Sequence, residues 1–521
     1  MAEESGRPGI AHSASLRQVD NYQLYKPLRN LLRSYNLQAC LEDVWWYFQE
    51  VSKPTGSELV WTGRAREPLR QVLHRWEIAN IAREVILNAT PEGTLRLRPW
   101  AGTGMVRVVN MLRRVDNDMA GANLTSDRAY NSLSAVAQHQ FPWQRPREFN
   151  ALMRYYKIFA APEVEVLLTQ ETGVSTKDWF FMGFFMAGRL SKNCGVPANQ
   201  TYESAGVSSE STRIVFERLS QPFAQLKEET QAKARYDDSW AFTWNPLQSK
   251  PLVSLHLNHP ERLHCPIDHY VLKRVTQGLY YEIVNAAGFN NPFGASFQAY
   301  FGAVLSATFS NSQYTRYEEK AYKVGRLRKD GVDWILTDNQ ANLFIECKAK
   351  RMSSEAKSSV DPLIIGQQVE YLAKAVVQLY KNIADALAGH TQWQPNDKPI
   401  YPLVVTLEDW YLFATSAELL NESITKRMAE ESLDLSWLKS MPYTVSSCED
   451  FEDVSPTIAE IGIGKFFETK HSGEQQRWMI QQFAKEAFAE VYLRTAHRDL
   501  FIEEWDNLLP TGVSPFNKKG H

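Results

Sequence analysis

Cysteine is scarce. Five residues in 521 (Cys40, Cys194, Cys265, Cys347, Cys448) lie far apart, odd in number and with no CxxC pair. That is a poor disulfide framework and points to a reducing compartment. Long hydrophobic runs are missing as well. The longest, Trp179 to Gly188 (WFFMGFFMAG), is about half of what a membrane span needs and predicts a buried helix instead. The first thirty residues hold Arg7, Arg17, Lys26 and Arg29 without an apolar core, so no signal peptide is expected, and the expected setting is cytoplasmic with no membrane partner. Charge of one sign is also absent: 57 Lys and Arg against 60 Asp and Glu leave a formal charge of −3. That balance argues against a histone-like or polybasic coat protein. It leaves a local nucleic-acid surface open, because the footprint that matters is local. The chain has no internal repeat of fixed period, no GxSxG and no HExxH. Gly462-Ile-Gly464-Lys465 lacks the first Gly and the following Ser/Thr of a phosphate loop and is set aside.

What is present is an ordinary globular composition, 44% apolar and 12% aromatic with 15 Trp. The length accommodates about three domains. Residues 1–20 are small and polar and read as a frayed terminus. Residues 21–240 read as a mainly helical N-terminal region with a sensing, docking or regulatory role. Within it, FNALMRYYKIFAAPEVEVLLTQE and STRIVFERLSQPFAQLKEETQAKARY predict helices, while SELVWT and GTLRLRPWAG predict short strands. Residues 241–287, rich in Pro, Trp and His, form a linker or docking segment. Residues 288–416 follow the order helix, three strands, helix, strand, which is the size and pattern of one compact α/β domain. Residues 417–521 read as a helical C-terminal region, notably GEQQRWMIQQFAKEAFAEVYLRTA.

The chemistry concentrates in Val332-Asp333-Trp334 and Phe344-Ile345-Glu346-Cys347-Lys348. Asp333 opens one predicted strand and Glu346 lies thirteen residues on, in the next. Residues two apart on a strand share a face, so Glu346 and Lys348 point one way and Cys347 the other. A hairpin would bring Asp333 beside Glu346. Two carboxylates and an ammonium then converge on an apolar sheet, the set that phosphodiester hydrolysis uses: hard oxygen ligands for Mg²⁺ or Mn²⁺, and a cation to orient water or offset developing charge.

Asp333 followed at a hairpin's distance by Glu346-Cys347-Lys348, with the flanking order of elements, resembles the PD-(D/E)XK, restriction-endonuclease-like nuclease superfamily. The resemblance covers about 130 of the 521 residues. It implies an α/β restriction-endonuclease-like core, a mixed sheet flanked by helices, between the helical N-terminal and C-terminal regions. It implies Asp333 and Glu346 as metal ligands, helped by the main-chain carbonyl of Cys347, with Lys348 positioning the water. Many members carry a Glu on the first core helix. Here that position is Gln298, a neutral amide, and Glu318 or Glu319 could substitute. Family members with bulky accessory regions are often bacterial anti-phage defence nucleases, which implies a DNA endonuclease, an activating or inhibitory protein partner, and an oligomer as one option.

Several residues carry a second meaning. Arg326, Arg328 and Lys329 in a basic turn, and Lys350 and Arg351 after the motif, suit phosphate contacts or a solvated surface. Tyr371, Lys374, Gln378 and Lys381 form a polar stripe on the following helix, either a phosphate-contacting face or a solvated one with a Glu370–Lys374 pair. Glu346 and Lys348 could be no more than a surface salt bridge. His256, His259, His264, Cys265 and His269 cluster in sequence, but their spacing fits no common closed zinc site, and a docking segment is the expected role. DNA is the favoured substrate. The alternatives are a catalytically degenerate module that holds nucleic acid or a protein, and an RNA-directed toxin nuclease.

Overall fold

A computed structural model of the chain describes residues 21–508 except 64, 123–125, 145–147, 319, 360, 414 and 496–498. The expected frayed segment 1–20 and the candidate Glu319 lie outside the described residues.

The protein is mixed α/β. A five-stranded sheet holds the motif, in the order β5–β4–β3–β2–β1: β1 (Thr315–Glu318), β2 (Trp334–Thr337), β3 (Asn342–Lys348), β4 (Ile400–Thr406) and β5 (Thr444–Ser447). The first two pairings are antiparallel, β1 with β2 and β2 with β3. The last two, β3 with β4 and β4 with β5, are parallel. The β2–β3 turn forms where expected because Asp338 accepts the backbone N–H groups of Gln340 and Ala341, both at 2.8 Å.

Helices cover both faces of this sheet: α1 (Asn290–Thr308) and α4 (Cys448–Ile461) on one, α2 (Pro362–Leu387) and α3 (Thr415–Glu430) on the other. The strand alternation sorts the core accordingly. Leu336, Leu343, Ile345, Leu403 and Val405 pack with Phe301 and Phe451 on the first face, while Ile335, Phe344 and Val404 pack with Leu372, Val376 and Ile424 on the second. Helix α2 starts on an Asp361 cap that accepts from Leu363 at 2.9 Å, with Pro362 in its first turn, and ends before Gly389 at φ +77°.

Residues of the 21–240 stretch contribute to two separate apolar clusters. Helices Asn21–Leu32, Leu37–Ser52, Arg75–Asn88 and Met105–Ala122 share one with Trp240, Ile267 and Tyr270. The helices between 148 and 219 join the first face of the sheet. There the buried Arg154 guanidinium binds Glu452 of α4 through two bonds of 2.7 Å, and Tyr300 of α1 donates to the same carboxylate at 2.9 Å. WFFMGFFMAG lies in the helix Thr176–Leu190 with Trp179, Phe180, Phe181, Met182 and Met186 buried. No helix among the described residues is long and apolar enough to cross a membrane.

Three local expectations are corrected. GTLRLRPWAG is not a strand: Asp43 accepts from Arg96 and from the backbone N–H of Arg98, so a buried carboxylate fixes this segment in place of a ladder. STRIVFERLSQPFAQLKEETQAKARY is broken at Ser220–Pro222, where Pro222 cannot continue the helix and the chain pairs with Leu252–Ser254. The C-terminal run GEQQRWMIQQFAKEAFAEVYLRTA is two short helices, Ile480–Ala487 and Ala489–Thr495, after a 3₁₀ turn. Gly462-Ile-Gly464-Lys465 has a packing role: the backbone N–H of Ile463 bonds Asp338 at 2.7 Å and that of Lys465 bonds Gln340 at 3.0 Å. A Cβ at Gly464 would meet Gln340 at 2.7 Å, so glycine permits this close approach.

Candidate active site

The antiparallel ladder begins at Trp334 and Ile345, and Asp333, the bend residue just before it, is tied to β3 by its own side chain. Alternation along β3 places Glu346 and Lys348 on the α2 face, while Trp334 and Cys347 pack toward the α1 face, and Asp333 acts on Lys348 from beside them. Asp333 Oδ2 accepts the backbone N–H of Cys347 at 2.5 Å, which fastens the strand entrance to β3. Lys348 Nζ donates to Glu346 Oε1 at 2.6 Å, with the Glu346 side chain 7% exposed and that of Lys348 25%.

Helix α1 holds Asp333 in place through its neighbour. The Trp334 indole donates to the Gln298 carbonyl at 3.1 Å. A Cβ at Gly302 would come within 2.1 Å of the Trp334 ring, so only glycine lets the helix close over it. Gln298 thus positions the strand through its backbone.

The electrostatics follow from two acids beside one amine. Burial alone depresses the Lys348 ammonium, but Glu346, Asp333 and Tyr371 together override it and raise its pKa, so it stays a charged donor. Burial, with Asp333, Cys448 and Glu346, pushes the Cys347 thiol far up and keeps it protonated, with Lys348 opposing. Burial likewise raises the Tyr371 phenol, with Lys348 opposing and Glu346 adding. Lys350 stands 4.8 Å above the Tyr371 ring, which brings a second ammonium to the site.

Two such carboxylates suit Mg²⁺, which binds through one or two carboxylates and keeps several waters. The field that holds Lys348 charged also attracts a divalent cation. Among the described residues no group of three or more His, Cys, Asp or Glu forms a metal cage, so Asp333 and Glu346 would hold the ion with the Cys347 carbonyl and water.

The other candidates divide. Glu318 pairs with Trp334, so the register turns it to the α1 face, away from Asp333 and Glu346. Arg326 and Arg328 are exposed on a hairpin of Tyr322–Val324 and Leu327–Lys329. Lys329 is held by Asp385 at 2.6 Å, fourteen residues beyond Tyr371 and thus about 21 Å along α2. Lys374 is exposed, Gln378 bonds Asn382 at 3.0 Å, and Lys381 pairs with Glu431 at 2.8 Å. Glu370 takes Arg427 and Ser423, so the expected Glu370–Lys374 pair is absent. Arg351 is corrected from an outward phosphate contact to a buried ion pair: its guanidinium binds Glu408 and lies over Tyr280, 4.6 Å from the ring centre. The cluster divides: the His256 and His264 rings lie 6.0 Å apart, while His259 pairs with Glu261 at 3.3 Å, Cys265 is buried, and His269 packs on Trp143.

Sequence reasoning missed Glu408, Tyr280 and the Gly302–Trp334 clamp. Glu408 lies 57 residues from its partner Arg351 and carries no local signal. Comparison with family models, with curated proteins and with solved structures returns no match for this chain.

Proposed function

We propose that the protein is a metal-dependent nuclease that hydrolyses phosphodiester bonds, with DNA as the first substrate and anti-phage defence as its setting. The observation that carries this reading is the convergence of Asp333 and Glu346 on Lys348 at the end of β3. Asp333 and Glu346 would hold Mg²⁺ or Mn²⁺, which when bound supplies Lewis-acid stabilisation of the scissile phosphate. Lys348, kept protonated by its two acids, is a donor and not a base: it orients the attacking water or offsets charge on the phosphate oxygens. Lys350 over Tyr371 offers a contact to a flanking phosphate.

The test is cleavage of supercoiled plasmid and of total RNA by the purified chain with Mg²⁺, Mn²⁺ or EDTA, beside Asp333→Ala and Lys348→Ala. Metal-dependent cutting lost in both variants is expected, together with loss of phage protection in Asp333→Ala cells. Cutting that survives EDTA or both substitutions would overturn the assignment. Nucleic acid bound but uncut on every substrate would favour the non-catalytic module, which the neutral amide of Gln298 supports.

A further inference from the structure

A cavity of about 850 Å³ lies where the helical N-terminal region meets the C-terminal ends of β3 and β4, and Asp333, Glu346 and Lys348 do not line it. Its size falls within the range of small-molecule sites, roughly 300–1,000 Å³. Its walls bring segments from 79 to 449 together, so no continuous stretch of sequence announces it.

The lining combines two kinds of group. The first is an ammonium on a flat aromatic face, twice: Lys233 stands 3.6 Å from the Trp244 ring centre and Lys273 stands 4.8 Å from that of Trp143. Lys233 is exposed, and among the described residues it has no acidic partner. The second is a set of buried polar atoms that bond to nothing else among the described residues: His139 Nε2, Thr243 Oγ1 and Arg351 Nε. Thr243 and Arg351 are each only 7% exposed. Leaving such groups unpaired is costly, and a site that receives a polar ligand explains them. Burial depresses His139 to about 4, helped by the charges of Arg83 and Lys273, so its ring is neutral and suits the edge of a heterocycle. Arg351 and Lys357 share the carboxylate of Glu408 on this wall.

We propose that this cavity is a binding site for a nucleoside phosphate: a planar heterocycle takes the place of the exposed Lys233 ammonium on the half-buried Trp244 ring, with its edge toward His139 and Thr243, and the phosphates meet Lys233, Lys273 and Arg351. Stacking then comes from Trp244 and ion pairing from the lysine that leaves its face. The site stands independently of the nuclease reading, since binding is measured directly.

The experiment is calorimetric titration of the full chain with ADP, with adenosine and with inorganic pyrophosphate, alongside Lys233→Glu and Thr243→Val. Thr243→Val keeps the side-chain shape and removes a hydroxyl that bonds nothing among the described residues, so its folded state is expected to be at least as stable. One ADP per chain is expected, with adenosine and pyrophosphate each at least about tenfold weaker. Each substitution is expected to weaken ADP about fivefold or more without lowering the melting temperature of the free protein. No ADP binding up to millimolar concentration overturns the proposal, as does pyrophosphate binding as tightly as ADP. Unaltered ADP affinity in both variants overturns it equally.

Discussion

The ends of two neighbouring parallel strands carry ion clusters of opposite make-up. At the end of β3, Asp333 and Glu346 face one ammonium, Lys348. Just past β4, Glu408 alone faces two cations, Arg351 and Lys357. The backbone joins the two places directly, since Leu407 N–H donates to the Lys348 carbonyl at 3.2 Å. Two acids beside one ammonium suit a cation, and two cations on one carboxylate suit an anion, although both clusters sit at one edge of one sheet.

Removing one of the two acids should break this contrast most strongly. Glu346→Gln is expected to lower metal-dependent plasmid cleavage by at least about 10³-fold, roughly 4 kcal/mol of transition-state stabilisation, and to abolish the Mg²⁺-induced rise in melting temperature. Cleavage within tenfold of the wild type would remove Glu346 from the site.

Stability should respond more at the other cluster. Glu408→Gln leaves the buried Arg351 without its carboxylate and is expected to cost about 3–5 kcal/mol in urea denaturation. A loss below about 1 kcal/mol would show that Arg351 finds compensation elsewhere.

The two clusters should also fail at opposite ends of the pH scale. Burial pushes Glu408 up, but Arg351 and Lys357 override it and hold the carboxyl at about 2. Its contribution is present above the unfolded value near 4.5 and is lost as pH falls from there toward 2, about 3 kcal/mol in all. Lys348 is raised in the folded chain, so its contribution persists through neutral pH and is lost only as pH rises past the ordinary lysine range. Denaturation profiles of wild type, Glu408→Gln and Lys348→Met would separate the two: the acid limb should flatten only in the first variant and the alkaline limb only in the second.

The smallest effect sharpens the geometry. Gly302→Ala drives a methyl into the Trp334 ring and is expected to cost about 1–3 kcal/mol. It should slow cleavage through Asp333, which adjoins the displaced tryptophan, while leaving ADP affinity unchanged. Equal loss of both would mean that the substitution unfolds the sheet at large.

The cluster at β3 was legible because its geometry is local. Two strands, a turn marked by Asp338 and a period of two suffice to bring Asp333 to the strand that carries Glu346 and Lys348 on one face. Helix α2 was legible for the same reason, from its apolar spacing and its bounds at Pro362 and Gly389. Arg351 shows where that legibility stops: three residues from Lys348, it looks like one more basic residue at a strand end. Its burial depends on Glu408 and on Tyr280, which come from distant segments. The Pro, Trp and His content of 241–287 marked an unusual segment, and parts of it between Phe242 and Tyr281 line the cavity.

Sequence alone determined which residues share a strand face and which pair across a hairpin, because backbone alternation and short-range turns impose them without outside help. Only the tertiary structure decided which charges are buried and which distant partners they meet. A charge is buried or solvated according to what packs over it, and the helices that pack over Arg351, Trp143 and Trp244 are brought there by hydrophobic burial across hundreds of residues.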